Sequence, residues 1–183
     1  MTKLVNGVNL EALGGFVDAV KNGAVSPEIR FTARSNWTGG TRTEVTIDQF
    51  TAGGVNAAPS ERSFKLVVDE PAALGGQDTA PNPVEYLVAG LCGCITAGIV
   101  TNAAMFGTKI EVLEVTVDAD INVLGLFGLD RSVPSHCNRI TYSVKLNGED
   151  QAALLKSKQV IDGKSPVRNT LANSIEIVTH VVS

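Results

Sequence analysis

The residues best suited to chemistry are three cysteines, Cys92, Cys94 and Cys137. A cysteine reacts as its thiolate, which a nearby cation or helix dipole stabilises, and the thiolate becomes a sulfenic acid when it attacks a peroxide. An odd number of cysteines argues against a framework of structural disulfides and for reduced thiols. Redox chemistry at one of these thiols is therefore the first hypothesis.

Metal and nucleotide chemistry have weaker support in the sequence. His136 precedes Cys137, but two ligands without a further His or Cys cluster fall short of a tetrahedral zinc site. The three Gly-Gly pairs are typical of turns and do not form a phosphate-binding motif. We therefore expect no metal and no cofactor.

Composition narrows the possible partners. The chain has 183 residues, of which 44% are hydrophobic, and a formal net charge of −4 without any block of like charge. This pattern argues against nucleic acid and anionic membranes as partners. The first residues lack the pattern of a secretory signal, so we expect a cytoplasmic protein. Glycines interrupt the most apolar stretch, 87–105, which favours a buried core helix over a membrane span.

The elements that must position these thiols follow from periodicity. A helix over 10–22, capped by Asn9, precedes a hairpin of two strands in 29–50 and a third strand in 63–70. A long central helix over 83–106 ends at Gly107. Strands at 110–123 and 139–148, a helix at 150–163, a turn or short helix at 165–171 and a last strand at 175–182 follow. The order predicts a single α+β domain over 1–183, with 1–29 as a helical extension.

The central helix carries two stripes of small residues at i+4 spacing, namely Ala89, Gly93 and Ala97 beside Gly90, Cys94 and Gly98. Small side chains let another helix approach closely. We therefore expect this side of the central helix to meet a second long helix.

The segments DEPAALGGQDTAPNPVEYLVAGLCGC, ITAGIV and SPVRNTL resemble the OsmC/Ohr family of osmotically induced and organic hydroperoxide resistance proteins. The resemblance covers roughly residues 30–183 in element order. It implies an OsmC-like fold in which antiparallel sheets wrap a long central helix in an intertwined homodimer.

In the peroxidase members of that family, a cysteine on the central helix attacks an organic hydroperoxide and a second cysteine resolves the sulfenic acid. The resemblance places Cys94 at the first position and Ser165 at the second. Because serine cannot form a disulfide, the reductant would be an external thiol. Arg168, three residues after Ser165, is a candidate source of positive charge near Cys94.

Two further family positions are altered. The family's glutamate falls on Val84 by ungapped counting, so Glu85 is displaced by one residue and lies about half-way round the helix from Cys94. Thr41 separates the family's arginine, here Arg42, from the glycines of the first hairpin.

These departures leave two hypotheses open. The first is a thiol-dependent organic hydroperoxide reductase using Cys94, with Arg42, Glu85 and Ser165 completing the catalytic site. The second is a non-peroxidatic relative that binds a small apolar ligand at the dimer interface.

Overall fold

The computed structural model describes residues 4–181, whose contacts divide into two compact units, 9–86 and 4–8 with 87–181. In chain order the elements are β1 (Leu4–Val5), β2 (Val8–Asn9), α1 (Leu10–Lys21), β3 (Ile29–Gly39), β4 (Arg42–Ala52), β5 (Val55–Asn56), β6 (Phe64–Val68), a 3-10 turn (Ala72–Leu74), α2 (Pro83–Met105), β7 (Ile110–Asp120), α3 (Val123–Leu126), β8 (Arg139–Gly148), α4 (Gln151–Lys164) and α5 (Pro166–Ala172). Helices and antiparallel strands follow one another in separate runs, so the predicted α+β class is confirmed.

The first unit contains α1 and a four-stranded antiparallel sheet. The Asn9 side chain accepts the N–H of Ala12 at 2.9 Å, which caps α1 as predicted. Strands β3 and β4 form the predicted hairpin, and its turn places Gly39 and Gly40 at positive φ. β4 also pairs with β5 and, along Thr43–Ile47, with β6.

The second unit is built on α2 and the β7–β8 hairpin. Leu91, Ile95 and Ile99 recur at i+4 spacing along α2 and are buried together with Ile161 of α4. Apolar side chains of both strands pack against this cluster: Leu113, Val115, Val117, Val144 and Leu146. The core of this unit therefore lies along one face of α2.

The end of α2 follows the glycine signal in the sequence. Gly107 takes φ 74°, its N–H donates to Ala104 O, and the N–H of Thr108 donates to Ala103 O. This pair of bonds is a Schellman motif, which only a residue in the left-handed region closes easily. By length and composition alone α2 could cross a membrane, a test that core helices of water-soluble proteins also pass.

The two small-residue stripes of α2 differ in their surroundings. A Cβ added at Gly98 would collide with the side chain of Ile161, so α4 approaches α2 closely there. Gly93 has no heavy atom of the described chain within 4 Å of its Cβ position, and Ala89 and Ala97 are exposed. The expected helix contact is therefore confirmed at Gly98, and the other stripe does not make it with any residue in 4–181.

The predicted last strand is wrong for the residues that the structure describes. Residues 174–181 have no strand, Ile177 is 82% exposed, and Val182 lies outside the described residues. A strand forms only where a neighbour exchanges backbone hydrogen bonds with it, and neither β7 nor β8 does so with this segment. The alternating apolar pattern alone did not supply that neighbour.

Candidate functional site

The junction between α4 and α5 places a buried hydroxyl against α2. Ser165 ends α4, where its N–H donates to Ile161 O at 2.8 Å, and begins α5, where its Oγ accepts the N–H of Arg168 at 3.2 Å. Pro166 follows at the first helical position, which lacks an N–H and suits a helix start. Ser165 is fully buried, so its side chain is fixed by both helices.

Cys94 meets this hydroxyl from α2. Its Sγ lies 3.1 Å from Ser165 Oγ, and the cysteine is half-buried. One turn further along α2, Gly98 packs against Ile161, one turn earlier on α4. Contacts that advance along α2 therefore go backward along α4, so the two helices are antiparallel. This arrangement places Ser165, at the end of α4, next to Cys94. The predicted neighbourhood of Cys94 and Ser165 is confirmed, and their chemical roles stay predictions.

The hydrogen bonds of Ser165 decide what it can do for sulfur. Because its Oγ already accepts the N–H of Arg168, its O–H is free to donate to Cys94 Sγ. The hydroxyl cannot, however, condense with a sulfenic acid to form a disulfide, so oxidised Cys94 has no reductant at this contact.

Glu85 has a structural role at the start of α2. Its N–H donates to Asn82 Oδ1 at 2.8 Å, and its carboxylate accepts the N–H of Asn82 at 2.7 Å. This reciprocal pair is a capping box, which satisfies two N–H groups at the helix start. Nine residues along a regular helix direct Glu85 about half-way round from Cys94, so its catalytic role stays a prediction.

Arg42 begins β4 in the first unit, directly after Thr41. The Thr41 hydroxyl donates to Asp69 Oδ1 at 2.7 Å, so the residue that displaces Arg42 in sequence has a contact of its own. Arg42 and Asp69 line a cleft of about 450 Å³ with Gly75 and Gly76. The catalytic role of Arg42 also stays a prediction.

Sequence reasoning missed the most heavily bonded polar group of the first unit, Asp69. This carboxylate is 1% exposed and accepts five hydrogen bonds from backbone and hydroxyl groups: Thr41 Oγ1, Glu70 N, Gln77 N, Thr79 N and Thr79 Oγ1. The Thr41 hydroxyl, followed by the donors of Thr79, holds the pKa of Asp69 far below its ordinary value. The signal was present as an aspartate directly after a strand and before a glycine-rich turn.

The other two cysteines have different surroundings. Cys92 Sγ lies 3.7 Å from the carbonyl oxygen of Val115 in β7, to which it can donate. Cys137 is half-buried in the loop before β8. Among residues 4–181, no group of three or more His, Cys, Asp or Glu side chains is placed to hold a metal ion.

A tyrosine and a carboxylate bridge β8 and α4. The Tyr142 hydroxyl donates to Asp162 Oδ1 at 2.5 Å, and Lys158 Nζ contacts Asp162 Oδ2 at 2.6 Å. Burial raises the pKa of the Tyr142 phenol, the bond to Asp162 raises it further, and Lys158 and Arg168 oppose that shift. Tyr142 therefore stays protonated and uncharged at neutral pH.

Comparison with known proteins decides the family. Residues 76–180, more than half of the chain, match the family described as OsmC-like protein. The chain belongs to the OsmC-like protein family. The match includes Cys94, Ser165, and Gln77 and Thr79, whose N–H groups bond Asp69. No curated protein matches the sequence.

Solved OsmC-like structures share the fold. An OsmC-like protein of Mycoplasma pneumoniae is 16% identical, with a TM-score of 0.56 over 79% of this chain and 87% of that chain. An OsmC-like protein of unknown function from Vibrio cholerae is 13% identical, with a TM-score of 0.57 over 84% and 99%. An organic hydroperoxide resistance protein OsmC from Legionella pneumophila is 19% identical, with a TM-score of 0.51 over 78% and 88%.

Proposed function

We propose that this OsmC-like protein is a thiol-dependent organic hydroperoxide reductase in which Cys94 is oxidised and an external thiol restores it. The observation that carries the proposal is the contact of Cys94 Sγ with the buried Ser165 hydroxyl at 3.1 Å. The position of Cys94 within the family match and the description of the Legionella relative as a hydroperoxide resistance protein support it.

The reaction has two stages that balance. The Cys94 thiolate attacks the terminal oxygen of an organic hydroperoxide, the O–O bond breaks, and the alcohol leaves with a proton while the sulfur becomes a sulfenic acid. One thiol of an external dithiol then condenses with the sulfenic acid and releases water. The second thiol attacks this mixed disulfide, which frees Cys94 and leaves the reductant as a disulfide. An external thiol is needed because Ser165 cannot supply sulfur.

Mass spectrometry after one equivalent of cumene hydroperoxide tests the proposal. Cys94 should gain oxygen before Cys92 or Cys137, and Cys94→Ser should abolish hydroperoxide consumption while Cys92→Ser and Cys137→Ser keep most of it. Equal loss in all three variants would indicate nonspecific thiol oxidation. No oxidation at Cys94 would favour the non-peroxidatic relative that binds an apolar ligand.

We further propose that the protein is a homodimer whose partner covers the exposed stripe of α2. A groove of about 640 Å³ runs along Gly93 and Ala97, beside Asn6–Val8 in the same unit. Small residues at such a face permit close helix approach, and an unpaired apolar segment, 174–181, is also exposed.

We also propose that the protein is cytoplasmic, because its three free cysteines suit the reducing environment of the cytoplasm.

Gly93→Leu tests whether a partner subunit covers the exposed stripe of α2. Leucine meets no atom of its own chain at the Cβ position, so it should cost little in a monomer. Against a partner, overpacking should cost about 1–3 kcal/mol and shift the protein toward monomers. Light scattering should report a dimer for the natural protein, and a natural monomer at micromolar concentration would refute the dimer. A Gly93→Leu protein that stays dimeric would place the interface elsewhere.

A further inference from the structure

The second unit contains a pocket of about 330 Å³ that the proposed reaction does not use. Its wall combines residues from the end of the β7–β8 loop, β8, α2 and α5: Cys137, Arg139, Tyr142, Leu91, Arg168 and Leu171. The volume is at the small end of the range of ligand pockets in proteins. Its lining brings two guanidinium groups and one protonated phenol to the same space.

Both guanidinium groups lack a carboxylate partner within residues 4–181. Neither Arg139 nor Arg168 forms an ion pair there, although Asp120 is the cross-strand neighbour of Arg139. Asp162, which binds the Tyr142 hydroxyl, already pairs with Lys158. The Arg168 side chain makes a long bond, 3.4 Å from its Nη1 to Asn169 Oδ1, and also acts on the Tyr142 hydroxyl. The pocket wall therefore carries two guanidinium groups that form no ion pair within residues 4–181.

The wall also contains apolar side chains. Leu91 of α2 is 2% exposed, and Leu171 and Ile140 are half-buried. A ligand that fills the pocket therefore meets two guanidinium groups and several hydrocarbon side chains. An arginine fork matches the two oxygens of a carboxylate, and paired arginines bind such a group more tightly than either does alone.

We propose that this pocket binds a small organic carboxylate, with its charged end between Arg139 and Arg168 and its hydrocarbon part against Leu91 and Leu171. Neither Cys94 nor Ser165 lines this pocket, and Arg168, whose backbone N–H bonds the Ser165 hydroxyl, connects the two places. Binding here goes beyond the reductase proposal and does not depend on it.

Cys137 reports on this binding because its thiol lies on the pocket wall. Iodoacetate and iodoacetamide alkylate the same thiol, and only the first carries a carboxylate. Peptide mapping should show that the rate of Cys137 alkylation by iodoacetate, relative to iodoacetamide, is about tenfold or more higher in the native protein than in urea, because cationic clefts concentrate anions to this extent. Hexanoate should protect Cys137 from iodoacetate, and the uncharged hexanamide should not.

Matched substitutions complete the test. Arg139→Gln and Arg168→Met should each lower the native preference for iodoacetate severalfold. Arg131→Gln, in the exposed loop that carries Cys137 but outside the pocket, should leave it unchanged. Circular dichroism checks that each variant is folded, and Arg139→Gln remains informative if the α5 variant is not. A ratio equal to that in urea, or an equal fall in all three variants, would overturn the proposal.

Discussion

Asp69 in the first unit and Cys94 in the second are both polar side chains held by neighbours, but they differ in how fully they are bonded. The Asp69 carboxylate accepts five hydrogen bonds and is closed to solvent, whereas the Cys94 sulfur has one polar contact, to Ser165, and is half-buried. A buried carboxylate whose oxygens already accept all the hydrogen bonds they can has a structural role. A sulfur atom with one polar contact and access to solvent can still react. This difference assigns a structural role to Asp69 and leaves Cys94 as the candidate nucleophile.

The largest expected effect comes from removing the charge at Asp69. Asp69→Asn should lower the melting temperature strongly, because an amide nitrogen would face N–H donors that now bind a carboxylate oxygen. Asp78→Asn, in the same loop but exposed, is the matched control and should change little. Comparable losses in both variants would contradict the structural role of Asp69.

The same carboxylate makes stability depend on pH. Since its pKa is lower in the folded protein than in the unfolded chain, its contribution is complete above about pH 4 and is lost as pH falls below that value. Urea midpoints at pH 7 and pH 3 should therefore differ more in the natural protein than in Asp69→Asn. Equal differences would show that other carboxylates dominate acid unfolding.

On the reactive side, Ser165→Cys should have the largest effect on turnover. Serine and cysteine differ little in size, and Ser165 Oγ already lies 3.1 Å from Cys94 Sγ, so two sulfurs can reach the bonding distance of about 2.05 Å with a small adjustment. Peptide mapping without reductant, after one equivalent of hydroperoxide, should find a crosslink between residues 94 and 165 and faster turnover with a dithiol. Oxidised Cys94 without a crosslink would exclude this geometry.

Gly98→Ala tests how the fold delivers Ser165 to Cys94. The added methyl group would push Ile161 away, so we expect a loss of about 1–3 kcal/mol and a weaker Cys94–Ser165 contact. Gly90→Ala lies on the same stripe with no atom within 4 Å and should be neutral or slightly stabilising. Urea unfolding measures both, and equal effects would contradict the close approach at Gly98.

The smallest expected effect is that of Ser165→Ala. It removes the cap of α5, at a cost of about 0.5–2 kcal/mol, and the donor to Cys94 Sγ, so Cys94 should oxidise more slowly. Ser157→Ala removes another buried serine of α4, one that bonds only Ala153 O, and should not affect the oxidation rate. If the two variants oxidise alike, the hydroxyl has no chemical role.

Local signals in the sequence were sufficient for most elements. Asn9 capped α1 and Gly107 ended α2, because each signal depends on neighbours a few residues away. Alternation of apolar and polar residues located β7 and β8 one strand at a time. The strand prediction was wrong in the segment 174–181 because a strand there needs a pairing partner that is distant in the chain. The resemblance identified Cys94 and Ser165 as positions to examine.

The sequence by itself determined the α+β class, the limits of α2 and the absence of sulfur at position 165. Only the tertiary structure decided which neighbours each polar group has. It gave the Asp69 carboxylate its bond to Thr41 and placed Arg139 and Arg168 on one pocket. These outcomes depend on packing between segments that are remote in the chain, and the spacing of residues along the sequence does not encode the distance between their side chains.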